Sequence, residues 1–287
     1  MGNTIKHIIT VFLIIINYSN SFSQDLVVYK KIDTTKLYLE VYSPKNVDAT
    51  KTYPAMVFYF GGGWNGGNRN QFERQASYLS KRGLVCFLVD YRVKNKHNTS
   101  PFESLIDAKS AIRFIRKNAS AFNIDKNKIV ASGGSAGGHL ASATALISDY
   151  NASTDDLSVS CIPNALVLFN PVIDNGPNGY GYERIGNAYS KFSPLHNIKK
   201  NAPPTLFLLG TKDHLVPVET AKLYKSKMEE FGNRCDLMLY KGEAHGFFNY
   251  KRSGKNNFDN YRKTLEATDN FLKSLGYLSK EPKIIIE

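Results

Sequence analysis

The chain has 287 residues, of which 42% are hydrophobic, 12% aromatic and 22% charged. That balance excludes a disordered, collagen-like or disulfide-dense chain, and the length supports a large core without staples. The formal charge of +12 comes from 37 basic and 25 acidic residues, scattered without an arginine-rich tract, so it excludes a nucleic-acid motif and reads as a solvated, lysine-rich surface or one suited to anionic polysaccharide or membrane.

Residues 1–23 read as a secretory leader. Lys6 and His7 form a short polar segment, Ile8 to Ile16 an apolar run, and Ser21-Phe22-Ser23 presents small residues at the two positions a signal peptidase reads. The run is shorter than the roughly 20 apolar residues a bilayer span needs, and no later stretch has membrane length. The expectation is a secreted or periplasmic protein with one domain over residues 24–287.

Leu37 to Tyr42 alternates apolar and polar, as a half-buried antiparallel strand does. Tyr53 to Phe60 is an apolar run ending in glycines, and Leu84 to Val89 is another. Ser100-Pro101-Phe102-Glu103 has capping-box spacing with proline at the first helical position, and Leu105, Ala108, Ile112 and Ile115 follow at helical spacing. Lys128 to Ser132 predicts a short strand, and Gly138 to Ser148 a small-residue helix. Ala165 to Phe169, Thr205 to Leu209 and Cys235 to Tyr240 predict three further strands. Val218 to Phe231, after Pro217, and Asn257 to Leu275, before Gly276, predict helices. Strands alternating with helices imply a mostly parallel sheet covered on both faces. The stretch 174–197, rich in Gly, Asn and Tyr, predicts an irregular insertion over the sheet. Cys86 and Cys235 fall in strand-like runs and read as small buried hydrophobes, a Cys161–Cys235 disulfide stays open, and no spacing resembles a metal site.

Four local patterns carry chemistry. Gly133-Gly134-Ser135-Ala136-Gly137 is a G-x-S-x-G between a predicted strand and helix, where a tight turn exposes the serine hydroxyl at a helix N-terminus. Gly61-Gly62-Gly63-Trp64 follows a strand and lets backbone N–H groups approach an oxyanion; without a following G-K-[ST] it does not read as a phosphate cradle. Asp213 and His245 each follow a predicted strand, where sites sit in open parallel sheets. The chain order Ser135, Asp213, His245 suits a serine nucleophile, an orienting acid and a general base.

These segments, with Asp90-Tyr91-Arg92, His139-Leu140 and Gly246-Phe247-Phe248, resemble the α/β-hydrolase esterases of the broad hormone-sensitive-lipase, acetyl-esterase and feruloyl-esterase-like group. The resemblance implies an α/β-hydrolase fold on a mostly parallel eight-stranded sheet. It implies Ser135 as nucleophile, Asp213 as acid, His245 as base, and the amides of Gly62, Gly63 and Ala136 as the oxyanion hole. Trp64 and Phe247 are candidates for the substrate pocket. The chemistry requires no cofactor and no metal. In two departures, Phe60 stands where the family usually has histidine, and Gly134 replaces the aspartate of the lipase-like branch; with His139, the latter points to the polysaccharide-esterase branch.

The expected activity is a secreted serine carboxylesterase acting on a small-molecule ester or an acylated polysaccharide, with acetyl or feruloyl groups favoured. A general short-chain esterase is the alternative, and a non-catalytic carbohydrate-binding protein the remote one. His139 and His214 read as structural and surface residues, Asp90, Tyr91 and Arg92 as a network near the oxyanion loop, and Tyr180, Tyr182 and Tyr189 as loop packing or a stacking surface for a sugar or phenolic ring. Expression with export should yield a mature protein beginning at Gln24, read by intact-mass spectrometry; an N-terminus retaining residues 1–23 would reject the leader.

Overall fold

A computed structural model describes residues 24–45, 47–250 and 255–279; the leader-like segment lies outside them. The strands are β1 (Gln24–Ile32), β2 (Thr35–Tyr42), β3 (Tyr53–Tyr59), β4 (Val85–Val89), β5 (Ile124–Gly134), β6 (Ala165–Phe169), β7 (Thr205–Gly210) and β8 (Cys235–Tyr240). The helices are α1 (Glu73–Lys81), α2 (Lys94–His97), α3 (Pro101–Lys117), α4 (Ala136–Leu146), α5 (Tyr182–Ile185), α6 (Tyr189–Phe192), α7 (Val218–Glu230) and α8 (Lys255–Ser274).

The strands form one sheet in the order β1-β2-β4-β3-β5-β6-β7-β8. The β1–β2 and β2–β4 pairings are antiparallel and the rest parallel. This is the mostly parallel eight-stranded sheet the resemblance implies. Every residue of β4, β6 and β7 is buried, which is why they read as unbroken apolar runs. β2 buries alternate residues over most of its length.

Period-two alternation sends side chains to two cores. From β3, Ala55, Val57 and Tyr59 join Leu105, Ile112, Leu140 and Tyr224 of α3, α4 and α7. Met56 and Phe58 join Leu79, Leu265 and Leu272 of α1 and α8 on the opposite face. The α3 capping box is present in full, with Pro101 at its start. The C-terminal end of α4 is capped by buried Lys109, whose Nζ donates to the carbonyls of Ile147 (2.7 Å), Ser148 (3.3 Å) and Asp149. Burial pushes that ammonium down to about 8.

Three elements escaped the sequence reading: β1, α1 and the single-turn α2. β1 carries Lys30 and Lys31 and a register shift between Val28 and Lys30, which breaks the alternation. α1 is short and largely polar, and its buried side includes Gln75 and Ser80. β5 also starts earlier than expected, because Tyr53 pairs with Ile124 across the polar Asp125-Lys126-Asn127 stretch. Cys86, Cys161 and Cys235 are free and buried; burial raises the Cys86 thiol and pushes Cys235 up to about 12. Among the described residues no helix is long and apolar enough to cross a membrane.

The two helices of the second face are tied by charge. Asp269 of α8 is fully buried and accepts from Arg82 Nε (2.6 Å) and Nη2 (2.9 Å) and from the Tyr78 hydroxyl (3.1 Å). Asp269→Ala removes the carboxylate that joins Arg82 and Tyr78 to α8 and should cost about 1–3 kcal/mol, measured as a lower urea midpoint at unchanged slope. An unchanged midpoint would show that the pair does not hold α1 to α8.

Candidate active site

Ser135 sits between β5 and α4 at φ 54°, ψ −119°, a left-handed conformation costing a non-glycine residue roughly 1–3 kcal/mol. Its surroundings hold it there. The Ser135 N–H donates to Phe169 O at 3.0 Å, and its carbonyl accepts from His139 N (3.0 Å) and Val172 N (3.1 Å). The flanking glycines are steric requirements. A Cβ on Gly137 would lie 2.0 Å from Tyr59 O, and one on Gly133 2.4 Å from the Gly137 carbonyl. A Cβ on Gly134 would lie 2.5 Å from Phe248 Cζ, so the aspartate of the lipase-like branch has no room here.

The glycine loop after β3 faces this elbow: a Cβ on Gly61 would lie 3.4 Å from Ser135 Cβ. Gly62, Gly63 and Trp64 all have positive φ. The Gly62 carbonyl accepts from Asn65 N (3.0 Å) and Gly66 N (3.2 Å), so the Gly63 N–H of the same trans peptide points the opposite way. The amides of Gly62, Gly63 and Ala136, the last at the first turn of α4, donate no hydrogen bond among the described residues. Phe60 stacks on Tyr91 with ring centroids 4.0 Å apart, and the Tyr91 hydroxyl donates to Phe60 O at 2.6 Å. Aromatic packing thus braces the loop where the family has histidine. Behind it, buried Asp107 accepts from Lys30 Nζ, from Arg92 Nε and Nη2 and from the Arg92 amide.

The 174–197 insertion consists of α5, α6 and short 3-10 turns, and it covers the loop. Arg184 Nη1 donates to Gly63 O and to Asn65 Oδ1 (3.3 Å), with its guanidinium 5.3 Å from the Trp64 ring centroid. A Cβ on Gly63 would lie 2.6 Å from Tyr180 Oη. Trp64 is buried and packs edge-on against His139, centroids 5.1 Å apart.

Asp213, after β7, is buried and acceptor-only. Oδ1 accepts from Leu215 N (2.9 Å) and Val216 N (3.0 Å), and Oδ2 faces His245 Nδ1 at 2.8 Å. His245 lies in the loop after β8. The two loops meet closely: Lys212 N donates to Glu243 O at 2.8 Å, and a Cβ on Gly210 would lie 2.3 Å from that same oxygen. No hydrogen bond joins Ser135 Oγ to His245 among the described residues, as is common before substrate binds.

The structure therefore brings Ser135, Asp213, His245, Gly62, Gly63 and Ala136 to the C-terminal edge of the sheet. It corrects one expectation. Phe247 is buried against Tyr240, centroids 4.7 Å apart, in the α1/α8 core, and Trp64, the other pocket candidate, is buried in the core of the opposite face, so neither is an open pocket wall. His139 is buried, with Nε2 3.0 Å from Phe192 O, and desolvation holds it down at about 3. His214 is exposed. Tyr182 and Tyr189 pack on each other.

Sequence reasoning missed Gln71, Asn170, Arg184 and Asn249. Gln71 Oε1 accepts from Gly61 N at 2.6 Å, and Gln71 Nε2 donates to Asn249 Oδ1 at 3.0 Å, bridging the glycine loop to the histidine loop. Only Asn170 carried a signal, as the polar residue ending a buried strand. Among the described residues, no group of three or more His, Cys, Asp or Glu side chains is placed to hold a metal.

Comparison with known proteins points to the same fold and class of enzyme. Residues 39–175 match the BD-FAE family and residues 177–276 the dienelactone hydrolase family. The propionate-bound structure of esterase 2 from Thermogutta terrifontis is 41% identical, covers 90% of this chain and 97% of its own, and superposes with a TM-score of 0.85. The form of that esterase phosphorylated by paraoxon is 42% identical, with coverages of 90% and 96% and a TM-score of 0.84. Acetylxylan esterase of Xylanibacter ruminicola is 28% identical over 82% of this chain and 50% of its own length. Esterase LipC of Mycobacterium tuberculosis is 28% identical over 73% and 56%. The chain spans about half the length of these two curated relatives. The fold and the site define a serine carboxylester hydrolase. The chain belongs to the α/β-hydrolase esterases of the hormone-sensitive-lipase-like group.

Gly134→Asp tests the packing of the elbow. The added carboxylate must displace the Phe248 ring, and the variant should lose about 1–3 kcal/mol, seen as a lower thermal midpoint. A midpoint equal to wild type would mean the Phe248 contact yields freely.

Proposed function

We propose that this protein is an exported serine esterase that removes short-chain or aromatic acyl groups, with acetyl or feruloyl esters on polysaccharide or oligosaccharide as its natural substrates. The observation that carries the catalytic reading is the 2.8 Å contact between Asp213 Oδ2 and His245 Nδ1, beside a serine held at φ 54°. Asp213 is already pinned by two backbone amides, so the imidazole is oriented by a carboxylate that cannot itself turn.

In this mechanism Ser135 Oγ attacks the ester carbonyl carbon while its proton passes to His245 Nε2. Asp213 remains ionised and stabilises the imidazolium. The carbonyl oxygen becomes an oxyanion among the free amides of Gly62, Gly63 and Ala136, where each well-aimed donor is worth roughly 10²–10³ in rate. The tetrahedral intermediate collapses, the C–O bond to the alcohol breaks, and His245 Nε2 gives its proton to the departing oxygen. Water then adds to the acyl-enzyme with its proton taken by His245. The second collapse releases the acid and returns the proton to Ser135.

The preference for short acyl groups rests on the acids bound by a similar esterase, in the propionate- and butyrate-bound forms of Thermogutta esterase 2. The carbohydrate preference rests on the acetylxylan esterase relative and on the leader-like sequence of residues 1–23.

Acid release from acetyl, butyryl, octanoyl and feruloyl esters and from acetylated xylan, with Ser135→Ala in parallel, tests both levels. Wild type should favour the short or feruloyl esters, and Ser135→Ala should lose about 10⁴-fold or more in kcat. A serine variant as active as wild type would overturn the mechanism. Turnover of simple esters without acetylated xylan or feruloyl esters would leave the general short-chain esterase.

A further inference from the structure

We infer that Asn170 is a positioning residue for His245, and that its side-chain amide selects the imidazole tautomer in which Nε2 is free to accept the serine proton. The inference rests on the proposed role of His245 as general base.

Asn170 directly follows β6. It is fully buried, has φ 35°, and is tied to β7 by its N–H, which donates to Leu208 O at 2.7 Å. Its Oδ1 accepts from Gly246 N at 3.1 Å. A backbone N–H can only donate, so the oxygen of the amide must face it. The other end of the amide, Nδ2, then faces His245 Nε2 at 3.4 Å. An NH₂ group also only donates, so the ring nitrogen opposite it must present a lone pair. The far side of the ring gives the same answer, since Nδ1 faces the carboxylate oxygen of Asp213 and carries the hydrogen. Both neighbours therefore demand one tautomer, the one a general base needs.

The orientation of the amide is over-determined. Gly61 N–H donates to Gln71 Oε1, Gln71 Nε2 to Asn249 Oδ1, and Asn249 Nδ2 to Gly246 O. Gly246 N–H donates to Asn170 Oδ1, and Asn170 Nδ2 points to His245. Every side-chain amide in this series lies with its oxygen toward a donor, and turning any one would set N–H against N–H. The series links the oxyanion loop to the base. At 3.4 Å the last contact is long, so Nε2 can leave it for the serine hydroxyl when substrate arrives.

The test compares Asn170→Asp with Asn170→Ala. Aspartate keeps the size and the acceptor for Gly246 N–H but sets an oxygen acceptor opposite Nε2, favouring a protonated Nε2. A histidine held in the wrong tautomer costs about 10⁴ in kcat. Asn170→Asp should therefore lose roughly 10²–10⁴ in kcat on a short acetyl ester with KM nearly unchanged, while Asn170→Ala loses about tenfold. A purely structural role would instead appear as lost stability, so the thermal midpoint of each variant is read beside its kcat, and only a kcat loss in a variant that remains folded counts for the inference. ¹⁵N NMR of histidine-labelled wild type, with the ring neutral, supplies a reading independent of variant folding: His245 Nε2 should show the shift of an unprotonated nitrogen. Asn170→Asp turning over as fast as Asn170→Ala, or a protonated Nε2 in the neutral wild-type ring, would overturn the inference. Full activity of Ser135→Ala would instead remove the serine mechanism on which it stands.

Discussion

The close approach of the turn after β5 to the end of β3 is the constraint on which the site depends. Gly137 stands so near the Tyr59 carbonyl that a Cβ would fall 2.0 Å from it, and only glycine permits that contact. From this contact follow the left-handed Ser135, the start of α4 immediately after it, and the glycine loop facing the serine. The parallel pairing of β3 with β5, in which Tyr59 lies opposite Gly133, puts the oxyanion amides and the nucleophile on adjacent strand ends. The strain at Ser135 is sustained because three backbone hydrogen bonds, to Phe169, His139 and Val172, fix the peptide on both sides.

Around that contact the protein spends its buried polar groups on orientation. Asp107 collects Lys30 and Arg92 behind the Asp90-Tyr91-Arg92 segment, Tyr91 braces Phe60, and Arg184 reaches from the insertion to the Gly63 carbonyl. Lys109 caps α4 at the end opposite the serine. Each side chain satisfies carbonyls or carboxylates that burial would otherwise leave costly. The insertion thereby becomes part of the oxyanion loop's support, and Tyr180 and Phe192 from it pack on Trp64.

Where side-chain period and turn chemistry were strong, the sequence was legible. The runs at Leu84 to Val89 and Ala165 to Phe169 became interior strands because parallel strands covered on both faces need apolar residues at every position. The G-x-S-x-G turn and the positions of Asp213 and His245 were legible because strand ends announce themselves with glycine and polar residues. β1 and α1 were not, since a register shift breaks the alternation of β1, and α1 is a short, largely polar helix whose buried side includes Gln75 and Ser80. Phe247 was misread for a related reason: an aromatic beside the histidine looks the same in sequence whether it faces the pocket or the core, and its packing against Tyr240 decides between them.

The sequence by itself determined the sheet-and-helix alternation, the glycine turns and the identity and order of the serine, acid and histidine, because these depend on local backbone geometry and on residues that no other chemistry would place there. The tertiary structure alone decided what surrounds them. Gln71, Asn170, Arg184 and Asn249 come from separate segments, and their hydrogen bonds exist only after the sheet has brought those segments together. A side-chain amide has no periodicity and no turn signature. Its partner is set by where the fold carries it, and so is its direction, which here fixes what the histidine nitrogen can accept.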